Sequence, residues 1–213
     1  MTTSTPCKLL LGILSFTMAS LIGIGNIWAD ETTIRPLRKP MSHDQLTQFA
    51  LSAAPRHISQ DATVMLPGDD GKPMEVRKGT NGFTCMPDTN PNSDRLEPMC
   101  MNQATAQWFT SFKNNAPKPS NTVPGIAYMA KGAELWIKDG KLLLKPEGGA
   151  VLLDFPPHWM IFWPFDSKES GIPSCTVQPE QVVRPGNVCI IFEGSPYATL
   201  IIFQKLETAQ AKR

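Results

Sequence analysis

The feature that most constrains this chain is a turn-rich stretch with a cysteine near each end. Residues 79–101 read GTNGFTCMPDTNPNSDRLEPMCM, with Cys85 close to the start and Cys100 close to the end. A segment so rich in Asn, Asp, Pro and Gly cannot bury a core of its own. A covalent bond between the two cysteines would give it a fixed shape. The stretch therefore predicts a stapled loop, provided that the chain folds in an oxidising compartment.

The first 29 residues have the pattern of a secretory signal peptide. Lys8 and the amino terminus supply positive charge, residues 9–24 are apolar and uncharged, and Ile27-Trp28-Ala29 offers a cleavage site. The wider apolar run from Leu9 to Ala29 has 21 residues, just long enough to span a bilayer if it is not cut, so retention as an anchor stays open. We expect cleavage near Ala29, a periplasmic or secreted mature chain, and no stable membrane insertion after cleavage.

Removal of this leader would also remove Cys7 and leave four cysteines. These are Cys85, Cys100, Cys175 and Cys189. An even number in an exported chain predicts a disulfide framework, although four cysteines allow three pairings and the sequence does not choose among them. Loop entropy favours the two sequential pairs, because each closes a loop of about 15 residues, which is worth roughly 3 kcal/mol.

The composition limits the classes of protein to which this chain can belong. The 213 residues are 41% hydrophobic and 18% charged, which is typical of a folded globular chain. Twenty prolines are about twice the usual share of roughly 5%, so we expect few long helices and many loops. Twenty basic and nineteen acidic residues give no field that would attract nucleic acid, and no nucleic-acid partner is predicted.

The order of helix and strand signals predicts an α+β fold. Ser42 with Gln45 forms a capping box that opens one short helix, and Asn102 caps a second. Most later segments have strand patterns, so we expect one domain over residues 30–213 with a mostly antiparallel sheet, two short helices in its N-terminal half, many loops and an extended arm at 30–41. The predicted strands are 62–66, 74–77, 82–85, 125–130, 135–137, 142–144, 150–155, 158–163, 188–192 and 198–203.

Residues 155–165, FPPHWMIFWPF, are the densest apolar segment of the mature chain. In a strand, His158 and Met160 would point to one face and Trp159 and Trp163 to the other. Apolar residues on both faces predict a central, covered strand, and an aromatic ligand platform is the functional alternative. His158 is our first choice for a site residue, because a buried imidazole needs hydrogen-bond partners. The ligand-binding candidates are His158, Trp159, Trp163 and Tyr128.

Metal binding and catalysis receive weaker support. Thioether and imidazole groups suit Cu(I), which makes His57, His158 and Met160 an alternative metal set. The chain has no His-x-His or Cys-x-x-Cys pair, and bonded cysteines cannot bind metal, so no cofactor is predicted. It also has no Gly-x-Ser-x-Gly elbow, P-loop or dinucleotide glycine pattern, and no catalytic residue is predicted.

Several short motifs together resemble a group of exported bacterial proteins of unknown function. They are NGFTCMPD at 81–88, PMCM at 98–101, PHWM at 157–160 and SPYA at 195–198. The resemblance implies a secreted single-domain protein, and it carries no activity, ligand or partner. We expect a non-enzymatic binding or accessory module whose site lies near His158 and the loop between Cys85 and Cys100. The alternative is a periplasmic copper-handling protein, or an enzyme that uses His57 and His158.

Overall fold

The computed structural model describes residues 39–205. The predicted signal peptide and residues 30–38 of the predicted arm lie outside this range. Residues 39–42 have no regular secondary structure and lead directly into the first helix.

Five helices and eleven strands form between residues 39 and 205, which confirms the predicted α+β class. The helices are α1 His43–Leu51, α2 Arg56–Ser59, α3 Gln103–Lys113, α4 Ser167–Ser170 and α5 Pro179–Val182. The strands are β1 Thr63–Pro67, β2 Pro73–Arg77, β3 Phe83–Met86, β4 Met99–Asn102, β5 Gly125–Met129, β6 Ala133–Lys138, β7 Lys141–Leu143, β8 Val151–Phe155, β9 His158–Phe162, β10 Val188–Ile191 and β11 Thr199–Phe203.

The strands form two sheets. The main sheet has eight strands in the order β10-β11-β9-β5-β4-β3-β1-β2, and the smaller sheet has three in the order β7-β6-β8. Every neighbouring pair is antiparallel except β1 and β3, which run parallel. The prediction of mostly antiparallel pairing is therefore confirmed, and the division into two sheets was not predicted.

The two predicted helices begin as their caps indicate. The Ser42 side chain accepts a hydrogen bond from the Gln45 backbone N–H and the capping box is complete, while the Asn102 side chain accepts from the Thr105 backbone N–H. Restricting the helices to the N-terminal half was wrong, because α4 and α5 lie in the C-terminal half. Each is a single turn, with Asp166 capping α4 and Pro179 opening α5, so neither shows a helical period in the sequence.

The stapled loop is shorter than the sequence indicated. Residues 99–102 form strand β4, which pairs with β3 so that Cys100 lies opposite Cys85. Met99, Cys100 and Met101 are all buried, so this segment is a core strand and not part of a surface loop. The turn-rich connection is therefore residues 87–98, with the disulfide at its base.

Both predicted disulfides are present, Cys85 with Cys100 and Cys175 with Cys189. They fit a chain that folds in an oxidising compartment. Of the helices within residues 39–205, none has the length and apolar character needed to cross a membrane.

Cross-strand pairing divides the main sheet into two faces, because partners in register point to the same side. On one face, which we call the α3 face, Met160 lies between Ala127 and Ile201, and His158 lies between Met129 and Phe203. On the other, the α1 face, Trp159 pairs with Tyr128 and Ile202, and Tyr128 pairs with Cys100. Helix α1 covers part of the α1 face, where Ala50 packs in one cluster with Val64, Cys85 and Cys100.

Candidate functional site

A cavity of about 470 Å³ lies on the α3 face. Residues of α3, of the main sheet, of the smaller sheet and of the 87–98 loop line it. Its apolar wall includes Trp108, Phe109, Met129, Leu135, Phe155 and Met160, and its polar lining includes Asn90, Asn92, Glu97, Lys113, Asn115 and His158. Small-molecule sites in proteins are concave, mostly apolar and about 300–1,000 Å³ in volume, so this cavity has the size and the chemistry of one.

Asn102 and Gly125 fix helix α3 against the main sheet. The Asn102 side-chain oxygen accepts hydrogen bonds from the Thr105 backbone N–H and hydroxyl, and also from the Ile126 backbone N–H on β5. One amide oxygen therefore caps the helix and joins it to a central strand. Gly125 permits the close approach, because a Cβ atom there would lie 2.5 Å from the Thr105 hydroxyl oxygen.

Trp108 on α3 lies at the centre of a cluster of aromatic rings from α3, β9 and the segment before β11. Its ring centroid lies 5.1 Å from those of Phe109, Phe112 and Tyr197 and 4.9 Å from that of Phe162. The side chain is 2% exposed, and its indole N–H has no hydrogen-bond acceptor within the described part of the chain. The indole nitrogen and the Asn121 side-chain oxygen are the two buried side-chain polar atoms of residues 39–205 that lack a partner.

His158 is buried in the wall of the same cavity, with 2% of its surface exposed. Its Nδ1 lies 2.7 Å from the Pro156 carbonyl oxygen. Because a carbonyl can only accept, Nδ1 carries the proton and donates it. The imidazole also makes edge contacts with the rings of Phe155 and Phe203, each at a centroid distance of 5.9 Å. These contacts hold the ring in one orientation.

The 87–98 loop is tied to the smaller sheet through Glu134. The Asn90 side-chain amide donates to the Glu134 carbonyl oxygen at 3.1 Å, and the Ser93 hydroxyl donates to the Glu134 carboxylate at 2.7 Å. In return, the Glu134 backbone N–H donates to the Glu97 carboxylate at 2.6 Å. Arg95 pairs with the Glu134 carboxylate at 3.5 Å. The disulfide therefore ties the two ends of the loop together, and the middle of the loop is bonded to the smaller sheet beside the cavity.

The structure separates the predicted ligand-binding residues. His158 lines the cavity, whereas Tyr128 and Trp159 stack against each other on the α1 face with ring centroids 6.3 Å apart. Trp163 follows β9 and is 37% exposed. The four side chains therefore do not form one site.

The predicted metal set is also divided. Met160 lines the cavity beside His158. His57 is exposed on α2, whose Ile58 packs on the α1-face cluster, so His57 belongs to the other side of the sheet. Within residues 39–205, no group of three or more His, Cys, Asp or Glu side chains is placed to hold a metal ion.

Sequence reasoning missed the residues that define the cavity. Trp108, Phe112, Glu97 and Glu134 were not among the predicted site residues. The available signal was the concentration of aromatic residues at 108, 109 and 112 on a short helix. Such a stripe is also the normal filling of a core, so it does not by itself indicate a ligand.

Comparison of the chain with family models, curated proteins and solved structures found no match.

Proposed function

We propose that this protein is an exported, non-enzymatic binding module that holds an apolar small molecule in the α3-face cavity. The observation that carries the proposal is the cavity itself, about 470 Å³ in volume and walled by aromatic, aliphatic and thioether side chains. Protein interiors are close-packed and contain few voids larger than a water molecule. A space of this size is therefore more than a packing defect, and its lining favours an apolar occupant.

The way in which the cavity is bounded supports binding. The 87–98 loop lies over its rim, is stapled at its base by Cys85–Cys100 and is bonded to the smaller sheet through Glu134. Because the rim is already held in place before binding, less conformational entropy is lost when a ligand binds. Disulfides form and persist outside the reducing cytosol, which supports the periplasmic or secreted location that the leader and the family resemblance predict.

Titration with N-phenyl-1-naphthylamine, an uncharged dye that fluoresces in apolar surroundings, tests the proposal. We expect saturable binding to the native protein at one site. Ala133 lines the cavity from β6, so Ala133→Phe should fill part of it and weaken dye binding about tenfold or more.

The matched control adds a ring of the same kind outside the cavity. Leu152 is 50% exposed on the neighbouring strand β8 and does not line the cavity, so Leu152→Phe should leave dye affinity unchanged. Absence of saturable binding, or equal weakening by both variants, would overturn the proposal.

Copper handling stays as a second candidate because three soft ligands share the cavity wall. Met129 and His158 are direct cross-strand partners, and Met160 follows two residues later on the same face. Thioethers and imidazole are ligands that Cu(I) accepts. Elemental analysis and anaerobic Cu(I) titration decide between the candidates. One bound copper per chain, lost in Met129→Leu and Met160→Leu, would establish a metal site and displace the small-molecule proposal.

A further inference from the structure

We infer that the molecule held in the cavity is an amphipathic anion, with its apolar body inside and an anionic head group, such as a carboxylate, beside Lys113 and Asn115 at the rim. This inference rests on the proposed function and names the chemical class of its ligand. The starting point is that the lining changes in polarity between the buried part of the cavity and its exposed rim.

The buried part of the lining is mostly apolar, whereas the exposed part is mostly polar. Large side chains that are at most 5% exposed form the interior wall, among them Trp108, Met129, Phe155, Met160 and Phe162. The exposed lining residues are Pro91, Asn92, Lys113, Asn115 and Leu144. Polar groups are costly to bury without partners, so a molecule that matches this lining has an apolar body and a polar end that stays at the rim.

Lys113 and Asn115 carry the groups at the rim that can recognise an anion. Helix α3 ends at Lys113, and Asn115 follows in the left-handed conformation, with φ of 52°. Within residues 39–205, neither side chain has a hydrogen-bond or ion-pair partner. An ammonium and an amide N–H are both donors, and the oxygens of a carboxylate, sulfonate or phosphate accept from both.

The charges along the lining also decide which end of the ligand is inside. In the part of the chain that the structure describes, Glu97 is the one carboxylate of the lining. It is 2% exposed and accepts a hydrogen bond from the Glu134 backbone N–H at 2.6 Å. An anionic head group at the buried end would lose its hydration and face this carboxylate. At the rim it keeps contact with water and lies near the Lys113 ammonium.

The end of helix α3 does not need the Lys113 side chain to satisfy its backbone. The backbone N–H groups of residues 114–116 donate to the carbonyl oxygens of residues 110–112. A cation at this end of a helix gains a modest benefit from the helix dipole. The Lys113 ammonium therefore remains available to a ligand, and a role confined to the helix is an outcome that the test can recognise.

A matched pair of dyes isolates the head group. N-phenyl-1-naphthylamine and 8-anilinonaphthalene-1-sulfonate have the same rings, and only the second carries a sulfonate. Raising the salt to about 1 M should weaken binding of the sulfonate relative to the uncharged dye, because salt screens exposed charges. Displacement of bound N-phenyl-1-naphthylamine by decanoate and by 1-decanol repeats the comparison with a carboxylate.

Two substitutions of one kind assign the effect to the rim. Lys113→Gln should lower the affinity for the sulfonate and for decanoate about fivefold and leave the affinities for N-phenyl-1-naphthylamine and 1-decanol unchanged. Lys118→Gln removes an exposed lysine that follows α3 but does not line the cavity, and it should leave all four affinities unchanged.

The outcomes separate this inference from the proposed function. If Lys113→Gln changes the two dyes equally, or changes neither, Lys113 acts only on the helix or not at all. The inference is then overturned, while binding of the uncharged dye keeps the binding module. An equal loss of sulfonate affinity in Lys118→Gln would also overturn it, because the effect would come from net charge. Failure of both dyes to bind the native protein would remove the proposed function and this inference together.

Discussion

The two faces of the main sheet are covered in different ways, although the same strands build both. On the α1 face, helix α1 contributes small side chains, and Ala50 and Ala53 are completely buried. The Ala50 carbonyl oxygen lies 3.6 Å from the Cys100 sulfur, so helix and disulfide are in direct contact. On the α3 face, helix α3 presents large aromatic rings, and a cavity lies among them, the sheet and the smaller sheet. The comparison teaches that alanines permit close packing, whereas rings enclose space that they do not fill.

The largest expected effect comes from removing the central ring of the α3 face. Trp108→Ala should lower the free energy of unfolding by about 3–5 kcal/mol, because Trp108 is buried among other rings. Trp159→Ala on the α1 face should cost clearly less, since that side chain is half-buried. Urea denaturation of both variants measures the difference. Equal losses would contradict the contrast between the two faces.

Removal of the Cys85–Cys100 bond should have the next largest effect. The double variant Cys85→Ser, Cys100→Ser should lose about 3 kcal/mol, the value expected for a loop of about 15 residues. It should also weaken dye binding, because the 87–98 loop would lose its anchor at the cavity rim.

The control for this prediction is the double variant Cys175→Ser, Cys189→Ser. That disulfide spans a similar separation, 14 residues against 15, but does not anchor the 87–98 loop. This variant should lose a similar amount of unfolding free energy, because it releases a loop of similar length, and its affinity for the dye should fall less. Unchanged dye affinity in the Cys85, Cys100 variant would show that the staple does not shape the cavity.

The two helix caps provide a smaller test. Asn102→Ala should cost about 2 kcal/mol, because the same oxygen caps α3 and accepts from Ile126 on β5. Ser42→Ala, which removes an exposed cap from α1, should cost about 1 kcal/mol or less. Thermal denaturation compares the two variants. A larger loss for Ser42→Ala would mean that α3 does not depend on its bond to the sheet.

The smallest effect is expected at Trp163. This side chain is 37% exposed beyond the end of β9 and does not line the cavity. Trp163→Ala should change the free energy of unfolding by less than about 1 kcal/mol and leave dye binding unchanged. Loss of dye affinity in this variant would move the binding site away from the α3 face.

Local signals in the sequence predicted the elements well. The capping groups of α1 and α3 and the alternation along β9 each depend on residues close together in the chain. Strand order did not follow from such signals. The parallel pairing of β1 with β3 and the separation of the smaller sheet depend on contacts between distant segments, which no local pattern encodes.

The candidate site was predicted only in part, and the reason lies in one strand. The sequence placed His158 and Met160 on one face of β9 and Trp159 on the other, and the structure confirms that alternation. Grouping all of these side chains into one ligand site conflicted with the alternation itself. The remainder of the cavity could not be inferred, because Trp108, Glu97 and Phe155 come from different elements and meet only after folding.

Methionine methyl resonances offer the most direct test of the central claim that the α3-face cavity binds apolar molecules. Met129 and Met160 line the cavity, whereas Met74 is exposed on the edge strand β2. Titration of 13C-methyl-methionine protein with N-phenyl-1-naphthylamine should shift the Met129 and Met160 methyl signals saturably and leave Met74 unchanged. A shift confined to Met74, or no saturable shift of the two cavity methionines, would contradict the account.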